Sequence, residues 1–162
     1  MADEYNDATN DEICIELRGL LGGPVTLRID DLRTARRVTI PGQLNCAEGA
    51  APGNGSWEGA ALEQMLAQAG VRPDARYVTI GSGEFITAFE LDSLKRRNAI
   101  LADTRNGAPL AREDGGPVRL MFTQGACFEA IKAVEWVELT ADASKTTATQ
   151  IVKARRAAGE QA

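Results

Sequence analysis

The chain has 162 residues and a net charge of −5, and 44% of its residues are apolar and 25% charged. This length and composition are typical of one globular domain with a sizeable core. The acidic balance argues against nucleic acid or an anionic membrane surface as the main partner. The chain has no histidine, which excludes Ser-His-Asp and Cys-His catalysis and any zinc or haem site that uses histidine.

Alternating or continuous apolar residues predict eight or nine short strands. The clearest are, in chain order, residues 13–17, 25–29, 36–46, 76–81, 84–91, 100–101, 118–122 and 131–139. The first two are expected to form a hairpin around a Gly-Gly-Pro turn, and Asn106-Gly107 predicts a second hairpin. We interpret Cys14, within the first alternating strand, as a core residue.

The predicted helices are few and short. Two aspartates favour a helix that ends near Thr34. Residues 60–69 have apolar side chains at helical spacing, and Gly70 suits a left-handed C-terminal cap. A single helical turn is expected over residues 92–97. This order of strands and helices predicts an α+β fold rather than alternating βαβ units.

The predicted domain covers residues 12–140. Residues 1–11 are acidic and are expected to be disordered, and residues 141–162 predict a polar C-terminal tail in which residues 149–158 have helical spacing. No apolar run is long enough to span a membrane, and the N-terminus lacks the features of a signal peptide. As written, the chain is expected to be cytoplasmic, or periplasmic if a signal peptide has been removed from a longer precursor.

Cys46 is the most informative candidate residue. It ends an apolar run, and the loop of small residues that follows it, residues 47–56, lets a ligand approach the backbone closely. Cys46 is therefore either a buried core thiol or a metal thiolate or reactive thiol at the mouth of this loop. Cys127 is interpreted as structural, with an approach to Cys46 in space as the alternative. No CxxC pair is present, which excludes a zinc ribbon and a thioredoxin-type motif.

Two cations interrupt apolar segments. Arg119 is costly to bury alone, so it needs either an internal carboxylate or a bound phosphate. Lys132 is interpreted as facing solvent from the outer side of a strand. Gly81-Ser82-Gly83 is better explained as a tight turn than as a phosphate-binding loop, because a lone GxG without a long following helix is a weak signal.

Four other side chains have simple structural interpretations. The adjacent Arg96 and Arg97 are expected on a solvated helix face. Trp57 and Trp136 are expected to anchor the core, because large aromatic side chains bury the most apolar area.

Six short motifs follow one another from about residue 13 to residue 140. They are Val25-Thr26-Leu27 with Asp31-Leu32, Leu44-Asn45-Cys46-Ala47, Trp57-Glu58-Gly59 with Ala69-Gly70-Val71, Leu101-Ala102 with Asn106-Gly107-Ala108-Pro109-Leu110, Gly115-Gly116-Pro117-Val118-Arg119-Leu120, and Ile131-Lys132. No single motif is specific. Their order and spacing together resemble the molybdopterin-binding domain of the sulfite oxidase type.

This resemblance implies a sulfite oxidase-type molybdopterin-binding fold, with mixed β-sheets and a few short helices, and a molybdenum–molybdopterin cofactor. It implies that the Cys46 thiolate is the molybdenum ligand, a role for which soft sulfur is suited. It places Lys132 near the cofactor phosphate, with Ala47, Ser82 and Arg119 lining the same region. An oxidoreductase or oxidoreductase subunit follows, in which the cofactor supplies the redox chemistry. An electron-transfer partner or haem subunit would come from outside the chain, and the small-molecule substrate stays unknown.

Two alternatives remain open. The chain lacks the Arg-x-His element common in this family and the arginine that follows the cysteine in sulfite oxidases proper. Because few charges would then hold an anionic cofactor, a cofactor-free binding or structural module of the same fold is the first alternative. A thiol-dependent redox protein that uses Cys46, with or without Cys127, is the second.

Overall fold

The computed structural model describes residues 14–42, 44–45, 55–126 and 129–142. The strands in these residues are β1 (Cys14–Gly19), β2 (Val25–Arg28), β3 (Arg37–Gly42), β4 (Leu44–Asn45), β5 (Gly55–Ala61), β6 (Tyr77–Ser82), β7 (Phe85–Glu90), β8 (Ile100–Arg105), β9 (Ala108–Pro109), β10 (Arg119–Met121), β11 (Gly125–Ala126) and β12 (Trp136–Thr140). The helices are α1 (Ile29–Thr34), α2 (Leu62–Ala69) and α3 (Leu91–Arg96), and Arg112–Asp114 forms a 3-10 turn.

The strands form two larger sheets and one small one. The first sheet has the order β2-β1-β12-β6-β7, in which β1 and β12 are parallel and the other neighbours antiparallel. The second has the order β10-β8-β5-β3, with β9 added to β8, and is antiparallel. The third is the parallel pair β4 and β11. Mixed sheets with a few short helices confirm the predicted α+β class.

Among the described residues, one buried apolar cluster joins the two larger sheets to the helices. Its members include Ile15, Leu17, Val137 and Leu139 from the first sheet, Trp57, Leu101 and Leu120 from the second, and Leu32, Leu66 and Leu94 from the helices. Trp57 is fully buried, as expected of a core anchor. Trp136 is only partly buried, and the guanidinium of Arg18 lies over its ring at 4.5 Å. The core prediction for Trp136 is therefore wrong in part.

Burial alternates along β1, and this corrects the prediction for Cys14. Ile15 and Leu17 face the core and are each 1% exposed, whereas Cys14 and Glu16 lie on the outer face. Cys14 is exposed, so its assignment to the core was wrong. The physical reason is that successive side chains of a strand point to opposite faces, and the two larger aliphatic residues occupy the inner one.

The predicted turns are confirmed. β1 and β2 form the expected antiparallel hairpin. Asn106 and Gly107 have φ values of 51° and 83°, the left-handed conformation that a tight hairpin turn requires, and they join β8 to β9. Gly70 ends α2 with φ 82°.

Strand β5 was not predicted. We expected a loop up to residue 56 and a helix from residue 60, but residues 55–61 form a strand and α2 begins at Leu62. A Cβ atom on Gly59 would overlap the carbonyl oxygen of Leu101 and lie 2.6 Å from Cα of Ala102. The small residues here therefore reflect two strands packed closely at a register shift between Glu58 and Gly59.

Two other strands are shorter than predicted. The strand expected over residues 36–46 is β3 followed by the two-residue β4. The strand expected over residues 131–139 begins only at Trp136. The preceding segment runs beside β10, where Leu120 N donates to Ile131 O and Val134 N to Val118 O. Lys132 therefore lies in a turn rather than on a strand.

The predictions for the chain termini remain predictions. Residues 1–13 and 143–162 lie outside the described residues. The expected disordered N-terminus and the helical spacing of residues 149–158 fall within these segments.

Candidate cofactor site

Arg119 is a buried cation that forms no ion pair in the described part of the chain. The residue is 2% exposed, and its Nε and Nη1 donate to the carbonyl oxygens of Ala130 and Asp114, both at 3.1 Å. The ion pairs found in residues 14–42, 55–126 and 129–142 do not include Arg119. The internal carboxylate partner considered from the sequence is thus not found there. Burial, followed by the charge of Arg105, lowers the pKa of Arg119 to about 10, against the effect of Asp114.

Gly115 brings Lys132 next to Arg119. Its φ is +98°, and a Cβ atom there would come within 2.8 Å of both Cδ of Arg119 and Cγ of Lys132. The Gly115 carbonyl accepts a hydrogen bond of 2.8 Å from the backbone N–H of Ala133, which fixes the segment that carries Lys132. A residue with a side chain would be strained here and would push the two cations apart.

The pKa of Lys132, like that of Arg119, is lowered by burial and by a neighbouring cation. The residue as a whole is exposed, but its aliphatic stem packs over Gly115. This partial burial, followed by the charge of Arg119, lowers the pKa of Lys132, while Asp114 acts in the opposite direction. No ion pair among the described residues includes Lys132. The structure therefore brings together two of the predicted site residues, Arg119 and Lys132.

Three further residues surround Arg119 and Lys132, namely Arg105, Asp114 and Trp57. We call these five residues the cation cluster. Arg105 Nη1 contacts Asp114 Oδ1 at 2.9 Å. The guanidinium carbons of Arg105 and Arg119 lie 5.0 and 5.6 Å from the centre of the Trp57 ring, within range of a cation–π interaction. Within the described residues, Arg105, Arg119 and Lys132 thus lie around the carboxylate of Asp114. The cation cluster is therefore the candidate anion-binding site.

Sequence reasoning missed Arg105 and Asp114. The sequence feature that could have indicated Arg105 was the Asn106-Gly107 hairpin, because it places Arg105 at the end of β8. Its Cα partner in the neighbouring strand is Trp57, and that pairing depends on the register of β5, a strand that the sequence did not reveal.

The strand that leads to Cys46 is fixed by β11. Leu44 pairs with Gly125 and Asn45 with Ala126, in parallel. β11 follows β10 closely in the chain, and β10 carries Arg119. The strand β4, which directly precedes Cys46, is therefore connected through β11 to the strand that carries Arg119. Cys46 and Ala47 lie outside the described residues, as does Cys127, so their predicted roles remain predictions.

Ser82 belongs to the β6–β7 hairpin. It pairs with Phe85 across a two-residue turn with φ +58° at Gly83, which confirms the tight turn. Gly81 O accepts a hydrogen bond from the Glu135 backbone N–H at 2.9 Å, and Gly83 N donates to the Glu135 carboxylate. The hairpin is therefore tied to the segment that contains Lys132. No described contact joins Ser82 itself to either Arg119 or Lys132, so its role at the site remains a prediction.

Comparison with known proteins identifies the family. The chain matches the oxidoreductase molybdopterin binding domain over residues 4–148. It belongs to this family. The uncharacterized oxidoreductase YuiH of Bacillus subtilis (strain 168) is 26% identical over 137 residues, which cover 84% of this chain and 68% of that protein. The solved structure of the sulfane dehydrogenase SoxCD from Paracoccus pantotrophus is similar with a TM-score of 0.77 at 21% identity, over 85% of this chain but only 40% of that chain.

These findings confirm the expected fold and cofactor class. The predicted molybdopterin-binding fold is that of the family, and the family supports molybdenum–molybdopterin as the cofactor and a general oxidoreductase role. The described helices include none that is long and apolar enough to cross a membrane. Within the same residues, no group of three or more cysteine, aspartate or glutamate side chains could hold a metal ion.

The described residues fit the anionic part of this cofactor. Molybdopterin carries a phosphate, and a buried arginine without an ion-pair partner among the described residues is a suitable partner for one. Arg119 and Lys132 can approach each other because Gly115 has no Cβ atom. The hydrogen-bond donors of Arg119 and Lys132 are therefore suited to the phosphate of the cofactor that the family binds.

Proposed function

We propose that this chain is a molybdopterin-dependent oxidoreductase, or a subunit of one, in which Arg119 and Lys132 hold the cofactor phosphate and the Cys46 thiolate binds molybdenum. One observation carries the proposal: the two cations meet over Gly115 and form no ion pair within the described residues. A buried charge without an ion-pair partner is unfavourable, and an anion that binds beside it reduces this penalty.

The lowered pKa values of Arg119 and Lys132 support the same conclusion. Each shift means that the folded chain disfavours the protonated, charged form of the side chain. A bound phosphate favours that form, so binding raises both pKa values back towards their ordinary ranges. The free energy that this releases contributes to the affinity for the anion.

The chain's own residues act by binding and orienting. Hydrogen bonds to two carbonyl oxygens and the ring of Trp57 hold the Arg119 guanidinium in place, so it loses little conformational entropy when an anion binds. The flexible Lys132 ammonium adds a second positive charge. The cofactor, when bound, supplies the redox chemistry. Ala47 and Ser82 belong to the proposed surroundings of the cofactor, and an electron-transfer partner or haem subunit completes the proposal.

Acylation of Lys132 tests this function. The full chain is purified from a host that synthesises molybdopterin and from one that cannot, and both samples are treated with an amine-acylating reagent. Lys132 is expected to react readily without cofactor, because its lowered pKa increases the fraction of free amine. In the cofactor-loaded sample its modification should fall by roughly the fraction of chains that contain molybdenum.

The exposed Lys95 of α3 is the internal control and should react equally in both samples. Equal modification of Lys132 in a sample that contains molybdenum would rule out its role at the phosphate. A sample that acquires no molybdenum from the competent host would favour the cofactor-free module instead.

A further inference from the structure

Arg97 is not the solvated helix residue that the sequence predicted. Its neighbour Arg96 is exposed, but the Arg97 side chain is only 19% exposed. The Arg97 guanidinium lies 4.1 Å from the centre of the Phe122 ring and 5.7 Å from that of Phe89. It pairs with Glu129, whose side chain is 24% exposed, at 2.8 Å. This ion pair includes neither Arg119 nor Lys132, although Glu129 directly precedes Ala130, whose carbonyl accepts from Arg119.

Arg97 and Glu129 together hold the segment of residues 123–126. Arg97 Nε donates to the Gln124 carbonyl at 2.9 Å, and the Arg97 carbonyl accepts from both the backbone N–H and the hydroxyl of Thr123, at 3.0 and 3.1 Å. Glu129 Oε1 accepts from Arg97 Nη2 and also from the backbone N–H of Ala126, at 3.0 Å. One carboxylate oxygen thus connects the end of α3 to β11.

β11 passes this restraint to the strand before Cys46. Ala126 pairs with Asn45, and Cys46 is the next residue in the chain. A Cβ atom on Gly125 would overlap both the Phe122 ring and the Arg97 guanidinium, so the absence of a side chain allows their close approach. The path from Arg97 to the residue before Cys46 therefore consists of described hydrogen bonds and one strand pairing.

We propose that Arg97 and Glu129 are positioning residues that fix the β4–β11 pair and thereby present the Cys46 thiol for metal binding. The proposal rests on the proposed function, in which Cys46 is the molybdenum ligand. Arg97 and Glu129 act through the backbone of β11 and β4 rather than by contact with the cofactor. Partly buried ion pairs with several shared hydrogen bonds are well suited to fixing one local arrangement of the chain.

The test compares Arg97→Lys and Glu129→Gln with the matched control Arg96→Lys. Lysine retains the charge of Arg97 but cannot reproduce its fork of hydrogen bonds, and glutamine retains an acceptor for Ala126 while losing the charge of Glu129. The full chain is made in a host without molybdopterin, and alkylation of Cys46 is followed by mass spectrometry. Rates are taken from about pH 7 to about pH 10, around the ordinary thiol pKa of about 8.5, so that accessibility and pKa effects separate.

We expect the high-pH plateau rate at Cys46 to rise about threefold or more in both variants, because local opening of the β4–β11 pair becomes more populated. It should stay at the parental value in Arg96→Lys. The exposed Cys14 lies in the other sheet and should be unaffected in every variant. An unchanged Cys46 rate, or an equal rise at Cys14 that indicates general loosening, would overturn the proposal.

Metal analysis of the same variants from a molybdopterin-producing host completes the test. Arg97→Lys and Glu129→Gln are expected to retain less molybdenum than Arg96→Lys. Variants with faster alkylation but parental molybdenum would overturn the link to metal binding. If Cys46→Ser retains the metal, the proposed function fails, whereas the alkylation rates still decide whether this pair positions Cys46.

Discussion

Replacing Cys46 with serine is expected to lower the molybdenum retained after dialysis by about tenfold or more, since changes even in the outer shell of metal sites cost 10- to 100-fold in affinity. A thiolate is a soft ligand that is already ionised near neutral pH when a metal is bound, whereas the serine hydroxyl is hard and stays protonated. The measurement is elemental analysis of the full chain purified from a host that synthesises molybdopterin.

Cys14→Ser is the matched control for this substitution. It makes the same chemical change at an exposed position of β1, in the other sheet from Arg119. Its molybdenum content should equal that of the parent. Equal retention of molybdenum by Cys46→Ser and the parent would contradict the ligand role of Cys46.

Asp103→Asn is expected to lower the free energy of unfolding at neutral pH by about 3 kcal/mol, the order measured when one partner of a buried ion pair is removed. Asp103 in β8 is 8% exposed and accepts two hydrogen bonds from Arg37, at 2.7 and 2.9 Å, and one from Thr104 at 2.7 Å. Asparagine cannot supply the negative charge or both acceptor oxygens. Arg37, whose side chain is 28% exposed, would then lose its closest counter-charge.

The effect of Asp103→Asn depends on pH with a definite sign. Burial by itself raises the pKa of Asp103, but the hydrogen bonds from Arg37 and Thr104 and the charge of Arg37 outweigh it and hold the pKa below its ordinary value. The stabilisation is therefore complete above the unfolded-state pKa of about 3.9 and is lost as the pH falls through the folded-state pKa. Urea unfolding should show the parent and Asp103→Asn converging under strongly acidic conditions.

Glu58→Gln provides the comparison for Asp103→Asn. Glu58 also pairs with Arg37, at 2.9 Å, but its side chain is 40% exposed. Solvent screening limits such a pair to less than about 1 kcal/mol. Equal destabilisation by the two substitutions at neutral pH would contradict the assignment of Asp103 as the main partner of Arg37.

Local signals in the sequence predicted much of the fold. The alternation in β1 and β2, the Asn106-Gly107 hairpin and the Gly70 cap depend on neighbouring residues alone, and all are found. β5 could not be predicted in this way, because its small residues are explained by the β8 backbone that packs against Gly59. Cys14 was misplaced although the alternation was correct, because Cys14 shares its face of the strand with Glu16 while Ile15 and Leu17 occupy the inner face.

The candidate site was predictable only in part. Residue chemistry indicated that Arg119 needs an anionic partner, but the proximity of Lys132 depends on the Gly115 turn and had support only from the family resemblance. The pairing of Arg105 with Asp114 depends on strand register, which the sequence does not specify. Arg97 was predicted to be solvated because helical spacing carries no information about distant residues that pack against a side chain. Here these are the rings of Phe89 in β7 and Phe122, which directly follows β10.

The rate at which Arg119→Met loses cofactor on dialysis, compared with Arg112→Met, tests most directly whether Arg119 holds the cofactor. Arg112 is an exposed arginine of the nearby 3-10 turn, so its replacement is the matched control. We expect Arg119→Met to fold and to release molybdenum and pterin about tenfold faster or more, because a charge-assisted hydrogen bond contributes about 1.5–3 kcal/mol. Equal rates of loss from Arg119→Met and Arg112→Met would contradict a phosphate site at Arg119.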